Sequence, residues 1–291
     1  MPELPEVEGV VRGLQPVVTG KLIQSVDVSP TIIKSKQVGK EAIIKGADVE
    51  SFQAALPGMV IARIERRSKY IYFHLKNQNG EPFLLVSHLG MSGAWFYVRT
   101  LDDILEEKFK KHSHVTLNFE EGDMLVYADI RRFGELRLLE TEADYPPLLL
   151  MAPEPFADHA LEHFLYMSSL PRYENKAIKE FIMDGHVVSG CGNIYATEAL
   201  FNLRIHPART VKRISKARKI QLFHEIVAVL LDSIENGGST ISDYRSINGG
   251  AGTMQHRLQM YSKKSCPICG KATKQKTIAG RTSTYCGSCQ K

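Results

Sequence analysis

The first residues of the chain carry groups that could bond covalently to a carbonyl-like carbon. Removal of Met1 would leave Pro2 with a free secondary amine, and an α-amino group titrates near pH 8, against about 10.4 for a lysine side chain. Such an amine attacks an aldehyde-like carbon to give an iminium ion. Glu3 and Glu6 are close in sequence and could move protons at the attacked carbon. Alone, the pattern also fits an inert proline.

Four cysteines near the C-terminus have the spacing of a metal site. They follow the pattern C-x2-C-x16-C-x2-C at Cys266, Cys269, Cys286 and Cys289. Two such pairs supply four thiolates to one zinc ion in tetrahedral geometry, with ribbon strands between the pairs. Disulfides or a dithiol redox pair are the alternatives. Cys191, the fifth cysteine, lies between two glycines and is expected to be a small buried residue, not a ligand.

A glycine-rich segment precedes an expected helix in the middle of the chain. In the sequence Gly190-Cys191-Gly192-Asn193, glycines at the helix entry let backbone N–H groups converge on an anion, and the Asn193 amide can add a donor. A DNA phosphate would fit such a site. A plain turn with Asn193 as the helix N-cap is the alternative.

The positive charge of the chain is concentrated at its C-terminal end. The net charge is +5, but the 48 residues from Tyr244 to Lys291 contain nine cations and no Asp or Glu, so the preceding residues carry about −4. This distribution is expected of a segment that meets a polyanion. A solvated basic face is the alternative, although the cysteines favour a structured contact with nucleic acid.

Short strands and one helix are expected to position the N-terminal groups. Apolar residues recur at helical spacing from Glu6 to Val18, which predicts an amphipathic helix. Seven short apolar runs separated by turn residues predict a β-sandwich or barrel. These runs lie at 59–65, 69–75, 83–89, 94–98, 114–119, 124–129 and 135–140.

Helical periodicity replaces the strand pattern after the proline-rich break at 145–155. The patterns predict an α+β protein with three segments: a helix and β-sandwich at 1–145, a helical segment at 151–238, and a loop with the cysteine module at 239–291. The predicted helices run from an Asp158 N-cap to Leu170, from Asn175 to Asp184, from Asn193 to Leu203, and from Ser215 to Asn236 before Gly237-Gly238. The sequence shows neither a signal peptide nor an apolar run that could span a membrane, so we expect a cytoplasmic protein.

Six blocks, in order along nearly the whole chain, resemble the bacterial formamidopyrimidine-DNA glycosylase family. They are MPELPEVE at 1–8, RRSKYI at 66–71, HLGMSG at 88–93, DIRRFG at 129–134, GCGNIYATEALF at 190–201 and AGRTSTYCGSCQ at 279–290. The sister family, endonuclease VIII, typically begins MPEGPE, so Leu4 favours the purine-specific branch. The resemblance implies a β-sandwich domain across a DNA-binding cleft from a helix-two-turn-helix domain with a four-cysteine zinc finger, in a bacterial, nucleoid-associated protein.

The resemblance also implies catalytic roles. Pro2 is expected to be the nucleophile at C1′ of the damaged nucleotide, and Glu3 the acid and base that helps to open the sugar ring. Glu6 is expected to support that centre. Lys69 and Arg281 are expected to bind phosphates at the catalytic centre.

Further DNA contacts are implied around the extruded nucleotide. His88 and Asn193 resemble phosphate ligands, although a histidine at a strand end is often only structural. Met91, Arg131 and Phe133 resemble a wedge that fills the gap left by a flipped base, with Arg131 facing the orphaned cytosine. The alternatives are that Met91 and Phe133 are core residues, and that Arg132 exchanges roles with Arg131. The segment at 240–256 corresponds to the loop that closes over the flipped base in the family.

The resemblance implies a bifunctional glycosylase and lyase, acting as a monomer with one structural Zn2+. It would excise 8-oxoguanine and formamidopyrimidines from double-stranded damaged DNA through a Schiff base on Pro2, followed by β,δ-elimination. The alternatives are an endonuclease VIII-like glycosylase for oxidised pyrimidines and a zinc-ribbon DNA-binding protein without enzymatic activity. The Pro2-Glu3 pair favours an enzyme, because a mere binder has no use for a free amine beside a carboxylate.

Overall fold

The structure, a computed structural model, describes residues 2–40, 42–239 and 254–291 of the chain. These residues divide into two compact units: 2–40, 42–149 and 237–239 form the first, and 150–236 and 254–291 form the second. The first unit is rich in strands, whereas the second is mainly helical with one β-hairpin. The predicted α+β class is confirmed. No helix among the described residues is long and apolar enough to cross a membrane.

Two β-sheets form the frame of the first unit. The strands are β1 (Ile23–Val28), β2 (Ile43–Ile44), β3 (Val60–Arg67), β4 (Tyr70–Lys76), β5 (Pro82–His88), β6 (Gly93–Val98), β7 (Ser113–Phe119), β8 (Met124–Asp129) and β9 (Glu135–Leu139). One sheet has the order β1-β7-β8-β6 and the other β2-β9-β5-β4-β3. Neighbouring strands are antiparallel except β2 and β9, which are parallel.

The sheets face each other across one apolar core, which confirms the predicted sandwich. Trp95 of β6 meets Phe73 of β4 edge to face, with ring centroids 5.4 Å apart. Its indole Nε1–H donates to Ser87 Oγ of β5 at 3.0 Å. An aromatic pair contributes about 0.5–1.5 kcal/mol beyond its burial, and the hydrogen bond satisfies the one polar atom that Trp95 brings into the core.

The seven predicted strand runs agree with β3 to β9 to within one or two residues, whereas β1 and β2 were not predicted. A bulge between Ile23 and Ser25 breaks the alternation of β1, and β2 has only two residues. Both strands therefore lack the period-2 pattern that reveals a strand in a sequence.

Helix α1 (Leu4–Val18) covers the sandwich and begins two residues earlier than predicted. Its apolar stripe is buried, and the helix packs mainly on β3. Pro5 lies in the first turn, where its missing N–H leaves no helical hydrogen bond unmade and its fixed φ suits the helix. Three shorter helices lie in the same unit: α2 (Pro30–Gln37), α3 (Val49–Ala55) and α4 (Glu107–Lys110).

The second unit contains the remaining helices and the cysteine module. The helices are α5 (Ala160–Ser169), α6 (Pro171–Glu174), α7 (Ile178–Met183), α8 (Asn193–Asn202) and α9 (Lys216–Glu235), and the hairpin strands are β10 (Lys274–Ile278) and β11 (Arg281–Tyr285). Helix α9 agrees with its prediction, since Ser215 caps it by accepting from Arg218 N at 3.3 Å.

Two predicted helix boundaries in this unit were wrong. Helix α5 begins at Ala160 with His159 as its N-cap, so Asp158 does not cap it. The helix predicted from Asn175 is confined to α7, because Ala177 is extended and forms a β-bridge with Thr210. Backbone pairing with a distant residue thus overrides the local helical pattern there.

Replacing Ser87 with alanine tests the hydrogen bond between the sheets. The Ser87→Ala protein should lose about 1–3 kcal/mol of unfolding free energy, because the buried indole N–H loses its acceptor. Trp95 is the only tryptophan in the sequence, so its fluorescence during urea unfolding reports the first unit. As a control, replacing the exposed Ser25 with alanine should change the free energy of unfolding by less than about 0.5 kcal/mol. Equal losses in the two variants would contradict this account of the core.

Candidate active site and nucleic-acid interface

The candidate nucleophile lies at the start of helix α1. Pro2, Glu3 and Glu6 are all buried. Glu6 Oε2 accepts from the Glu3 backbone N–H at 2.8 Å, and its Oε1 accepts from Ser239 N–H at 2.7 Å. Gly238 allows this approach, since a Cβ there would lie 3.1 Å from Glu6 Oε1 and its φ is +77°. Glu6 therefore fixes the backbone of Glu3 and ties residues 238–239 to the start of the helix.

An ion pair links the first turns of α1 to the turn that carries Lys69. Arg66 Nε donates to Glu8 Oε2 at 2.8 Å, and a second guanidinium nitrogen donates to Ser68 O at 3.2 Å. Burial acts to raise the pKa of Glu8, but the hydrogen bonds and charges of Arg66 and Arg12 hold it below its usual range. Lys69, partly buried, follows Ser68 in the tight turn between β3 and β4, where Ser68 has a positive φ of 56°.

His88 ends strand β5 beside the same turn. It pairs with Tyr70 in the sheet, and the two rings lie 4.9 Å apart. Burial lowers the pKa of His88 to about 4; nearby Lys69 adds to this effect and Glu135 opposes it. Its Nδ1 accepts from Gly90 N–H at 3.2 Å. At neutral pH the ring is therefore uncharged, and its proton lies on Nε2, where it can be donated to a ligand.

Two connections cross between the sheets at this end of the sandwich. Residues 89–92 join β5 to β6, and residues 130–134 join β8 to β9. Gly90, with φ +60°, packs so closely on the second connection that a Cβ would lie 2.5 Å from Gly134 N. A Cβ on Gly134 would collide with the hydroxyl of Tyr127. Gly90 is required because only a missing side chain lets the two backbones touch, and Gly134 is required because a side chain there would displace Tyr127.

The carboxylate of Asp129 holds these two connections together. Its Oδ1 accepts from Ser92 Oγ at 2.6 Å and from Arg131 N–H at 3.2 Å, and its Oδ2 accepts from Gly134 N–H at 2.8 Å. Ser92 Oγ also accepts from Arg131 N–H at 2.9 Å. Asp129 is completely buried. Sequence reasoning missed Asp129 and Ser92, although both stand inside the quoted blocks.

The candidate wedge residues project from these connections. Phe133 is 58% exposed, so it is not a core residue. The guanidinium of Arg131 lies 4.9 Å from the centroid of the Phe133 ring, which gives an exposed cation–aromatic pair. Arg132 is also exposed and has a positive φ of 57°. Met91 is partly buried on the adjoining connection.

The second unit brings Asn193 and Arg281 together. Asn193 is the first residue of α8, whose N-cap is Gly192, so the expected alternative of Asn193 as N-cap is wrong. Its Nδ2 donates at 3.1 Å to the carbonyl of Thr282, next to the exposed Arg281 at the start of β11. The Asn193 side chain thus joins the N-terminus of a helix, which attracts anions, to the tip of the cysteine-module hairpin.

The four predicted cysteines form a cluster that fits a tetrahedral metal ion. Their Sγ atoms all lie within 4.8 Å of one another, with the Cys269–Cys286 pair at 3.6 Å and Cys266–Cys289 at 3.9 Å. Thiolates at about 2.3 Å from a tetrahedral ion are about 3.8 Å apart. None of the five cysteines forms a disulfide, and Cys191 is buried outside the cluster, as predicted. A site closed by four thiolates leaves no position open for substrate.

A second buried carboxylate anchors the segment that leads into the cysteine module. Glu198 of α8 accepts the backbone N–H groups of Gln259, Met260 and Tyr261 at 2.7–3.0 Å. Phe201 of the same helix packs with Met260 and the cysteine cluster. Sequence reasoning missed Glu198, because its partners are backbone groups about 60 residues away.

The segment at 240–256 lies mostly outside the described residues. Only Met254–His256, a short 3-10 helix, is described. The role expected for this segment in base recognition stays a prediction.

Comparison with known proteins identifies the class. The model of the formamidopyrimidine-DNA glycosylase N-terminal domain matches residues 1–136, and that of the formamidopyrimidine-DNA glycosylase H2TH domain matches 151–245. A formamidopyrimidine-DNA glycosylase of Exiguobacterium is 40% identical over the whole chain and 99% of its own length. These matches define a DNA glycosylase with an H2TH domain.

Solved structures agree with this class. A Lactococcus lactis Fpg variant in complex with Fapy-dG-containing DNA superposes with a TM-score of 0.82 at 32% identity, covering 99% of both chains. The wild-type Lactococcus lactis Fpg in complex with oxidised-pyrimidine-containing DNA gives a TM-score of 0.81 at the same identity and coverage. The chain belongs to the formamidopyrimidine-DNA glycosylase family.

Metal analysis should find about one thiolate-bound ion per chain. Replacing Cys289 with serine should lower this ratio and expose the amides of β10 and β11 to faster hydrogen exchange, because the module is too short to build a core of its own. Cys191→Ser provides the matched control, since Cys191 lies outside the cluster, and should keep the metal. A metal-free protein with fully protected hairpin amides would contradict a structural metal.

Proposed function

We propose that this protein excises oxidised purines, including 8-oxoguanine and formamidopyrimidines, from duplex DNA and then cleaves the resulting abasic site. The observation that carries the proposal is the burial of Pro2 and Glu3 at the start of α1, where Glu6 accepts hydrogen bonds from two backbone N–H groups. The related Lactococcus lactis complex with Fapy-dG-containing DNA supports the choice of substrate class.

Pro2 would act as the nucleophile after removal of Met1. Burial and the positive end of the α1 dipole both favour the uncharged form of an amine at this position. The Pro2 nitrogen would attack C1′, forming the N–C1′ bond as the glycosidic bond breaks and the departing base takes up a proton. Loss of the nitrogen proton and opening of the sugar ring then give an iminium ion.

Glu3 and Glu6 would have different roles, Glu3 in proton transfer and Glu6 in positioning. Glu3 would protonate the sugar ring oxygen as the ring opens and later assist removal of the C2′ proton, which the iminium ion acidifies. Loss of that proton expels the 3′ phosphate by β-elimination, and a second elimination expels the 5′ phosphate. Glu6 would act as a positioning residue, since its two oxygens hold the backbone N–H groups of Glu3 and Ser239.

Each unit would supply phosphate ligands of its own. Lys69 and the uncharged His88, donating from Nε2, would bind phosphates of the damaged strand at the end of the sandwich. Asn193 and Arg281 would bind them at the start of α8 and the hairpin tip. Backbone contacts of this kind position the duplex without reading its sequence.

The wedge would replace the stacking that is lost when the damaged nucleotide leaves the duplex. Exposed Phe133 offers a flat apolar surface, and Arg131 would face the orphaned cytosine. Met91 would fill the adjoining space. We also propose that the cysteine cluster binds zinc, because soft thiolate ligands in tetrahedral geometry select that ion.

Oxidised pyrimidines are a second candidate substrate class. One specific observation favours them, since the Lactococcus lactis relative was solved with oxidised-pyrimidine-containing DNA. Parallel excision assays with 8-oxoguanine and an oxidised pyrimidine, both within duplex DNA, decide which class is preferred.

An extension at the N-terminus tests the nucleophile. A protein with one residue added before Pro2, confirmed by mass, carries an amide whose nitrogen lone pair is delocalised. It should still bind metal and damaged duplex, yet form no borohydride-trapped complex with 8-oxoguanine opposite cytosine. Glu3→Gln should suppress base excision but retain some cleavage of abasic DNA, where the base is already absent.

Pro2→Gly serves as the matched control for this experiment. It keeps a free terminal amine without the ring that directs it, so trapping should weaken without disappearing. Normal excision by the extended protein would exclude Pro2, and Lys69 would be the next nucleophile to test.

Replacing Asp129 with asparagine tests the support of the wedge. The amide nitrogen of asparagine cannot accept from Gly134 N–H, and one unsatisfied buried donor costs about 1–3 kcal/mol. Excision of 8-oxoguanine from duplex should therefore fall roughly tenfold or more, as it should for Phe133→Ala, while cleavage at a preformed abasic site falls less.

Asp123→Asn provides the control for stability. Asp123 precedes the opposite end of strand β8 and pairs with Lys21 at 2.9 Å, so this variant should lose stability without any preference between the two substrates. If Asp129→Asn and Asp123→Asn reduce both reactions equally, Asp129 has no specific connection with the wedge.

A further inference from the structure

A basic pocket adjoins the wedge on the side away from Lys69. It has a volume of about 400 Å³, and Lys40, Lys45, Arg131 and Arg132 contribute four cations to its lining. Of the described lining residues, Glu135 alone is acidic, and its carboxylate accepts from Arg137 Nε at 3.2 Å. The pocket therefore has a positive potential that attracts an anion.

Strand β2 lies between the two lysines, beside residues 130–134, the wedge connection, which carries Arg131 and Phe133. It runs parallel to the start of β9, with Ile43 opposite Glu135, and Lys45 N–H donates to Leu136 O at 2.9 Å. Lys36 Nζ donates to Ala47 O at 2.8 Å and so ties α2 to the segment that follows β2. Lys45 is thus carried by backbone that is hydrogen-bonded to the sheet, and Lys40 by backbone that is hydrogen-bonded to Ser35 of α2.

The order of strands places this pocket opposite the proposed ligands of the damaged strand. In the sheet β2-β9-β5-β4-β3, residues 130–134 lead into β9. Lys69 and His88 lie on the β5 and β4 side of that strand, and Lys40 and Lys45 flank β2 on the other side. From β2 to β4 there are three strand spacings, about 14 Å in all. Two backbones of one duplex can therefore be bound on either side of the wedge.

We infer that Lys40, Lys45 and Arg132 bind a backbone phosphate of the strand opposite the lesion, an inference that rests on the proposed function. Arg131 and Phe133 would fill the gap in the base stack, and this pocket would hold the intact strand in register. The wedge could then enter the stack without displacing the intact strand.

Salt dependence of binding tests the inference with Lys40→Gln, Lys45→Gln and the double variant. On duplex DNA with an abasic site, each single change should lower the slope of log K against log salt by up to about 1, and the double change by between about 1 and 2. On the damaged strand alone, the slope should equal that of the unaltered protein. Lys76→Gln at the opposite end of β4 should change neither slope.

A neutral phosphate scan identifies the contacted group without altering the protein. Methylphosphonates are placed one at a time on the undamaged strand near the orphaned base. At one position, the methylphosphonate should weaken binding by the unaltered protein as much as the double substitution does. The double variant should bind the DNA equally well with and without that methylphosphonate. If every methylphosphonate weakens binding by the double variant as much as it weakens binding by the unaltered protein, the inference is overturned.

The outcomes separate this inference from the proposed function. If the unaltered protein traps on duplex DNA but the lysine changes leave its salt slope unchanged, the pocket does not bind the duplex. If the lysine changes lower the salt slope on the damaged strand alone as much as on the duplex, the lysines bind that strand, and the inference is also overturned. Failure of the unaltered protein to trap on damaged DNA would instead refute the proposed function.

Discussion

The close crossing of two connections at one end of the sandwich is the constraint on which the candidate site depends. Residues 89–92 and 130–134 can touch because Gly90 lacks a side chain, and Gly134 leaves room for the Tyr127 hydroxyl. The carboxylate of Asp129 joins the two connections through Ser92 and two backbone N–H groups. Without that carboxylate, buried donors on both connections would be left without an acceptor. The positions of His88, at the start of one connection, and Phe133, near the end of the other, therefore follow from a single buried group.

A buried carboxylate that accepts backbone N–H groups also occurs at two other points of the structure. Glu6 accepts backbone N–H groups from Glu3 and Ser239, and Glu198 accepts three consecutive ones. Hydrogen bonds to an ionised acceptor contribute about 1.5–3 kcal/mol each, more than neutral ones. A surface ion pair is screened by salt. A buried carboxylate bound by backbone donors, in contrast, fixes the path of the chain itself. Each of these carboxylates thus fixes the backbone of a segment through hydrogen bonds, in addition to any packing of its side chains.

The sequence predicted what depends on local pattern and missed what depends on distant backbone partners. The ends of α9 were predicted because Ser215 and Gly237 are local cap and stop signals. Strand β1 was missed because its bulge at Ile23 disturbs the alternation. In the candidate site, the family blocks supplied the expected catalytic and DNA-contacting residues, and the cysteine spacing predicted the cluster. The role of Glu198 stayed hidden, since a carboxylate that binds backbone N–H groups leaves no complementary residue type in the sequence.

The wedge connection departs from what stability alone would favour. Phe133 exposes 58% of its surface, which forfeits part of the free energy that burial of an aromatic side chain provides. Arg132 adopts a positive φ of 57°, a conformation that is unfavourable for a residue with a side chain. Such departures persist only where the surroundings over-determine the backbone, and Asp129 supplies that restraint here. An exposed aromatic ring on a restrained backbone gains its apolar contact only when a ligand covers it. The connection is therefore organised for a bound state, as the proposed insertion between bases requires.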